Sequence, residues 1–301
     1  MTLRAVVLGA AAGGGFPQWN SNAEGCRRAR SGDPAAPART QASLAVSLDG
    51  DRWTLINASP DLREQINRSS FLHPRDGLRS TPITDVVLTG GDVDVVAGLL
   101  TLRERQPFSL WATPRILGVL DANSIFEVLA RDVVARRPLA VGEPVTLDSG
   151  LTVEFFPVPG KTPLYLEESD APAIETSDVT VGAAISDGRN TLFFIPGCAA
   201  MTPELAARLS GADLVFFDGT LWRDDEMVIA GLGAKTGQRM GHMSISGPNG
   251  AIAAFESIPV ARKVFIHLNN SNPALLADSA ERAQIEQAGW LVAYDGMEFS
   301  L

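Results

Sequence analysis

Apolar and polar positions alternate or cluster along this chain with periods that mark out its elements. Ala5 to Leu8 is a short apolar run of the kind that forms a buried strand. Ser43 to Leu48 alternates apolar with polar residues, Trp53 to Asn57 is a second strand, and the Asp49-Gly50-Asp51 turn between them predicts a hairpin. Pro60-Asp61 opens a helix to Asn67, Asp85 to Leu88 is a buried strand, and Asp94 to Arg105 carries apolar residues at helical spacing, with Asp94 as its cap. A strand at Ser109 to Ala112 and a helix after Pro114 follow. The segments Pro138 to Val158 and Val179 to Ile195 are rich in β-formers, and helix and strand alternate again from Pro203 to Tyr294. Two β-rich stretches, each followed by helices, predict two sheets packed face to face with helices outside. With no repeat, linker or charge run to divide it, the chain reads as one domain over residues 1–301. Lys161 to Ser177 and Trp222 to Met240 are long, less regular connections, suited to lids or binding loops.

Composition narrows the function classes. Of 301 residues, 45% are hydrophobic, enough for a sizeable core. Acidic side chains outnumber basic ones 35 to 25, giving a net charge of −10 without a Lys/Arg run, which argues against a nucleic-acid partner. No apolar stretch reaches the roughly 20 residues that span a bilayer, so no membrane partner is expected. The apolar start, Met1 to Ala12, is too short and too interrupted at Gly9 for a secretory signal. Cys26 and Cys198 are far apart, imply no disulfide framework, and fit a reducing, cytoplasmic setting. The sequence is compatible with a homo-oligomer.

Three histidines can be weighed singly. His73, in Phe71-Leu72-His73-Pro74, has no carboxylate at a useful spacing and reads as loop surface. His242 precedes a helix predicted from Pro248, in Gly241-His242-Met243-Ser244, and is set to project into a cleft. His267 ends the apolar strand Lys263 to His267 and opens a polar loop, a common position for a ligand. Asp92 and Asp94 follow the buried strand in Leu88-Thr89-Gly90-Gly91-Asp92-Val93-Asp94, and Asp218 ends the strand Leu214 to Asp218. Together with His267 these three carboxylates form the hard O/N set that suits a divalent metal. The Gly9 to Gly15 stretch lacks the spacing of a dinucleotide loop and meets Pro17 where a helix should open; it reads as a tight backbone crossing.

At these residues the chain resembles the metallo-β-lactamase superfamily, and more closely its pyrroloquinoline quinone (PQQ) biosynthesis protein B branch. The likeness runs through Leu8-Gly9-Ala10-Ala11, Phe16-Pro17-Gln18-Trp19-Asn20, Asn57-Ala58-Ser59-Pro60-Asp61-Leu62-Arg63, Gly98-Leu99-Leu100-Thr101-Leu102-Arg103-Glu104 and Met240-Gly241-His242-Met243-Ser244-Ile245-Ser246-Gly247. It implies a metallo-β-lactamase-like αββα sandwich with a metal site. The superfamily motif His-x-His-x-Asp-His falls on Gly90, Asp92, Asp94 and Val95, so two of its four ligand positions have no ligand. The histidine expected after Pro159-Gly160 is Lys161, the bridging aspartate falls near Gly197-Cys198, and the last histidine is retained as His267. One metal position of the usual pair is thereby lost, since an ammonium at Lys161 repels a cation.

The resemblance then implies one mononuclear divalent metal, Fe(II) or alternatively Zn(II) or Mn(II), on Asp92, Asp94 and His267. It implies His242 as proton donor or acceptor, Asp218 as its orienting partner or a further ligand, and Lys161 and Ser244 as substrate contacts. Many members carry a cysteine cluster after Phe16-Pro17-Gln18-Trp19-Asn20; here only Cys26 follows, and one thiol predicts no structural zinc. The implied reaction is iron-dependent hydroxylation, with dioxygen, of the tyrosine ring in a Glu-Tyr-derived precursor of PQQ. The alternative is a non-catalytic carrier of PQQ or its precursor. Two-metal hydrolysis conflicts with the missing histidines.

Overall fold

The computed structural model describes residues 2–163, 165 and 174–301. Along the chain run β1 (Arg4–Gly9), β2 (Ser43–Ser47), β3 (Trp53–Ile56), β4 (Ile83–Val87), β5 (Phe108–Ala112), β6 (Val134–Pro138) and β7 (Val145–Thr146). There follow β8 (Thr152–Gly160), β9 (Glu175–Ser186), β10 (Thr191–Ile195), β11 (Leu214–Asp218), β12 (Lys263–Ile266), β13 (Leu291–Val292) and β14 (Glu298–Ser300). Among the described residues they form two seven-stranded sheets, ordered β14-β1-β2-β3-β4-β5-β6 and β13-β12-β11-β10-β9-β8-β7. In the first sheet β14 to β3 pair antiparallel and β3 to β6 parallel. In the second, β7 to β10 pair antiparallel and β10 to β13 parallel.

Strict alternation assigns side chains to layers. In β11, Leu214 and Phe216 enter the cluster between the sheets, with Phe194, Val264 and Ile266, while Val215 and Phe217 face the outer helical layer with Phe255 and Trp290. Because both faces are covered, the run is apolar throughout until Asp218, as expected of a buried parallel strand. A third cluster, including Val86, Leu110 and Ile116, fills the outer layer of the first sheet. The layers are helix, sheet, sheet, helix, as the sequence pattern predicts.

Several elements differ from that reading. The helix expected from Asp94 to Arg105 is one α-turn, Val93–Val96, continued as the 3-10 segment Ala97–Leu102. The break has a steric cause: a Cβ on Gly98 would stand 2.1 Å from the Ser59 carbonyl oxygen. At that close approach the Gly98 amide donates to the Ala58 carbonyl rather than within the helix. Asp92, not Asp94, occupies the capping position, and its side chain makes no capping hydrogen bond. The segment 222–240 is more regular than expected, with helices Glu226–Ile229 and Gly237–Met240; Thr236 caps the second. Of the segment 161–177, residues 164 and 166–173 lie outside the described residues, and β9 already begins at Glu175.

The glycine-rich stretch after β1 is the predicted crossing. Ala11 bridges both Gln41, beside β2, and Leu268, just past β12, so this strand of backbone ties the two sheets together at one end. Gly9 permits it, since a Cβ there would meet the Gln41 carbonyl oxygen at 2.2 Å. Asp295 secures the same end, accepting from the amide and hydroxyl of Thr40 and from the Ala10 amide.

Candidate functional site

The C-terminal ends of β3, β4, β8, β10 and β12 converge on one cavity of about 280 Å³. Asn57, Asp92, Asp94, Lys161, His242 and His267 line it. Gly90 and Val95, where the superfamily motif has histidines, line it too and supply no ligand. Two of the chain's non-glycine residues in the left-handed backbone region, Asn57 (φ 65°) and His267 (φ 62°), sit on this wall. That conformation costs a side-chain-bearing residue about 1 kcal/mol or more and is typical of functional strand ends.

The second sheet holds its site residues through one hydroxyl. Asp218 is fully buried; its Oδ1 accepts from the Thr220 amide at 3.0 Å and the Thr220 hydroxyl at 2.7 Å. Its Oδ2 accepts from the Cys198 amide and from His242 Nδ1, each at 2.8 Å. The single Thr220 proton is thus committed to Asp218, so Thr220 Oγ1 accepts from His267 Nδ1 at 2.9 Å. This network assigns Nδ1–H to both rings and leaves both Nε2 lone pairs for the cavity. The rings stack with centroids 5.5 Å apart. Gly241, in left-handed backbone (φ +85°), lets His242 turn inward; a Cβ there would press on Lys161 Cγ at 3.0 Å.

The first sheet answers with carboxylates. His267 Nε2 stands 3.0 Å from Asp94 Oδ2, and a lone pair facing a carboxylate at that distance requires a proton or a cation between them. Burial opposes ionisation of Asp94, but the hydrogen bond and charge of His267 outweigh it and hold the carboxyl below its ordinary range. Burial likewise disfavours a charged His267, yet Asp94, with Asp218 and Asp92 beyond it, raises its affinity for a proton. Asp92 is pushed up by burial and by Asp94, against the opposing charges of Lys161, His242 and His267.

Asp94 and His267 are therefore brought into contact and Asp92 onto the same wall. The compact cluster of ligand atoms among the described residues is a different triad, Asp218, His242 and His267, within 4.8 Å of one another. Among the described residues Asp218 accepts four hydrogen bonds, two at each carboxylate oxygen, which suits it to orienting His242. Ser244 stands apart: it lines a neighbouring cavity that shares His242 with this one. Near the expected bridging aspartate, Gly197 lines the cavity and Cys198 is buried, its thiol pushed up to about 12 by burial and by Asp218. His73 is on the surface, Nε2 3.1 Å from the carbonyls of Ile66 and Asn67. Sequence reasoning missed Thr220, Asn57 and Lys235; Thr220 was signalled by its position two residues past Asp218.

Comparison with known proteins places the chain in a family. The Beta-lactamase superfamily domain matches residues 52–268. Coenzyme PQQ synthesis protein B of Gluconacetobacter diazotrophicus is 63% identical over 302 residues, covering 98% of each chain. Its counterpart in Xanthomonas campestris is 54% identical over 300 residues, covering 99% of this chain and 100% of the relative. The crystal structure of zinc-bound PqqB from Methylobacterium extorquens superposes with a TM-score of 0.97 at 51% identity, covering 99% of this chain and 100% of that one. The chain belongs to the coenzyme PQQ synthesis protein B family, within the metallo-β-lactamase-like αββα fold.

Proposed function

We propose that this protein acts in PQQ biosynthesis as a metal-dependent hydroxylase of the tyrosine ring in a Glu-Tyr-derived precursor. The observation that carries this reading is the Asp94–His267 contact, in which the hydrogen-bond network turns an imidazole lone pair on a carboxylate. A divalent cation fits that arrangement, and a zinc-bound form of the related Methylobacterium protein supports a divalent metal in the family. His267 Nε2 and Asp94 would hold the ion, with Asp92 from the same wall; this is an oxygen-rich set with open positions. Fe(II) bound there would supply the one-electron chemistry that dioxygen requires.

The chain's own groups do the rest. Asp218 fixes the His242 tautomer, and His242 Nε2 takes or returns the phenolic proton as the ring is attacked. Lys161 faces the substrate's carboxylates. In the net reaction a ring C–H becomes C–OH, and the second oxygen atom leaves as water with two electrons and two protons from an external reductant.

The test is to load the protein anaerobically with Fe(II), add Glu-Tyr dipeptide, ascorbate and dioxygen, and follow the mass of the dipeptide. A gain of one oxygen atom, traced to labelled dioxygen, is expected. Tight PQQ binding with no product under Fe(II), Mn(II) or Zn(II) would overturn the enzyme in favour of the carrier.

A further inference from the structure

Arginine supplies 22 of the chain's 25 basic side chains, leaving three lysines: Lys161, Lys235 and Lys263. Lys263 lies over the Trp290 ring, 5.3 Å from its centroid, in the outer layer of the second sheet. The other two line the cavity of Asp92, Asp94 and His267, and among the described residues arginine is absent from that lining. They reach it from separate segments: Lys161 follows β8, and Lys235 lies between the helices Glu226–Ile229 and Gly237–Met240.

The choice of ammonium over guanidinium has a physical reason. A cavity of about 280 Å³ is small, and a planar guanidinium fork would pair bidentately with the carboxylates on its wall. An ammonium is a compact charge on a flexible stem, with donors that rotate to meet a mobile anion. On a chain of net charge −10, an anionic ligand also needs local positive charge to enter a cavity that already holds Asp92 and Asp94.

We propose that Lys235, with Lys161, forms a two-ammonium clamp that selects a ligand carrying at least two carboxylates and points its ring toward the Asp94–His267 end of the cavity. The clamp rests on the reading that this cavity is the substrate site, and it makes the segment 222–240 a specificity element.

The test measures binding to the full chain by calorimetry, with three probes: PQQ, which has three carboxylates, Glu-Tyr, which has two, and Gln-Tyr amide, which has none. Wild type should bind both carboxylate probes more tightly than the amide. Lys235→Ala should weaken PQQ and Glu-Tyr by roughly ten- to a hundredfold and leave the amide unchanged. Lys235→Gln should behave like Lys235→Ala, and Lys235→Arg should recover part of the affinity. Unchanged carboxylate binding in Lys235→Ala and Lys235→Gln, an equal loss for the amide, or no carboxylate binding by wild type would each overturn the clamp. If this pattern holds while Glu-Tyr is never hydroxylated, the clamp stands and the hydroxylase reading falls.

Discussion

At the end of β4 the chain delivers Asp92 and Asp94 on a single α-turn, whereas at the ends of β11 and β12 it delivers Asp218, Thr220 and His267 from adjacent parallel strands. The strand-end group is locked: one hydroxyl ties Asp218 to both imidazoles. In the turn group, Asp94 finds its partner across the cavity in His267. The second sheet therefore fixes tautomer and direction, and the first supplies negative charge. A ligand site assembled from both sheets should depend on each, but for different reasons.

The largest effect is expected where the halves meet. His267→Ala and Asp94→Ala should each lower metal affinity by more than about a hundredfold, beyond what is usual for outer partners, in a competitive chelator titration. Equal retention by Asp94→Ala and wild type would break the comparison by making the second sheet sufficient. Next comes Thr220→Val, which keeps the shape of the side chain and removes the shared hydroxyl. Metal affinity should fall roughly ten- to a hundredfold with the circular dichroism spectrum unchanged.

A smaller effect concerns how the segment 222–240 is anchored. Buried Glu226 accepts from the Trp222 amide and the Ser271 hydroxyl, each at 2.6 Å, so it joins that segment to the loop after β12. Burial pushes its pKa up from 4.5 to about 7. A raised folded-state pKa gives stability that is fully present below about pH 4.5 and is lost as pH rises through about 7. Urea unfolding should accordingly show a loss of at most roughly 3 kcal/mol between those limits. Glu226→Gln, whose amide can donate to Ser271, should flatten that slope. The smallest effect is expected at His73, outside both groups: His73→Ala should change stability by less than about 0.5 kcal/mol and metal affinity not at all.

Much of this was readable in the sequence because strand ends are readable. Asp218 and His267 interrupt apolar runs that are buried on both faces, so a polar residue there announces itself. The sheets followed from the same periodicity. What escaped were properties of closeness rather than pattern. Gly98 breaks a helix that its neighbours' spacing predicts, because the Ser59 carbonyl lies where its side chain would be. Thr220 carries only the signal of standing two residues past Asp218, and its role emerges where two histidines from elsewhere meet its hydroxyl. Asp94 reads as both a cap and a ligand beside His267; the capping position falls instead to Asp92, and the Asp94 carboxylate is drawn across the cavity to His267. Lys235 carried only a compositional signal, as one of few lysines in an arginine-rich chain.

The central claim is that the two sheets together hold one metal ion at Asp94 and His267. Elemental analysis of Fe(II)-loaded protein after desalting, beside His267→Ala and Asp94→Ala, tests it most directly. One ion per chain in wild type and none in either variant is the predicted result; two ions per chain, or full retention by either variant, would contradict it.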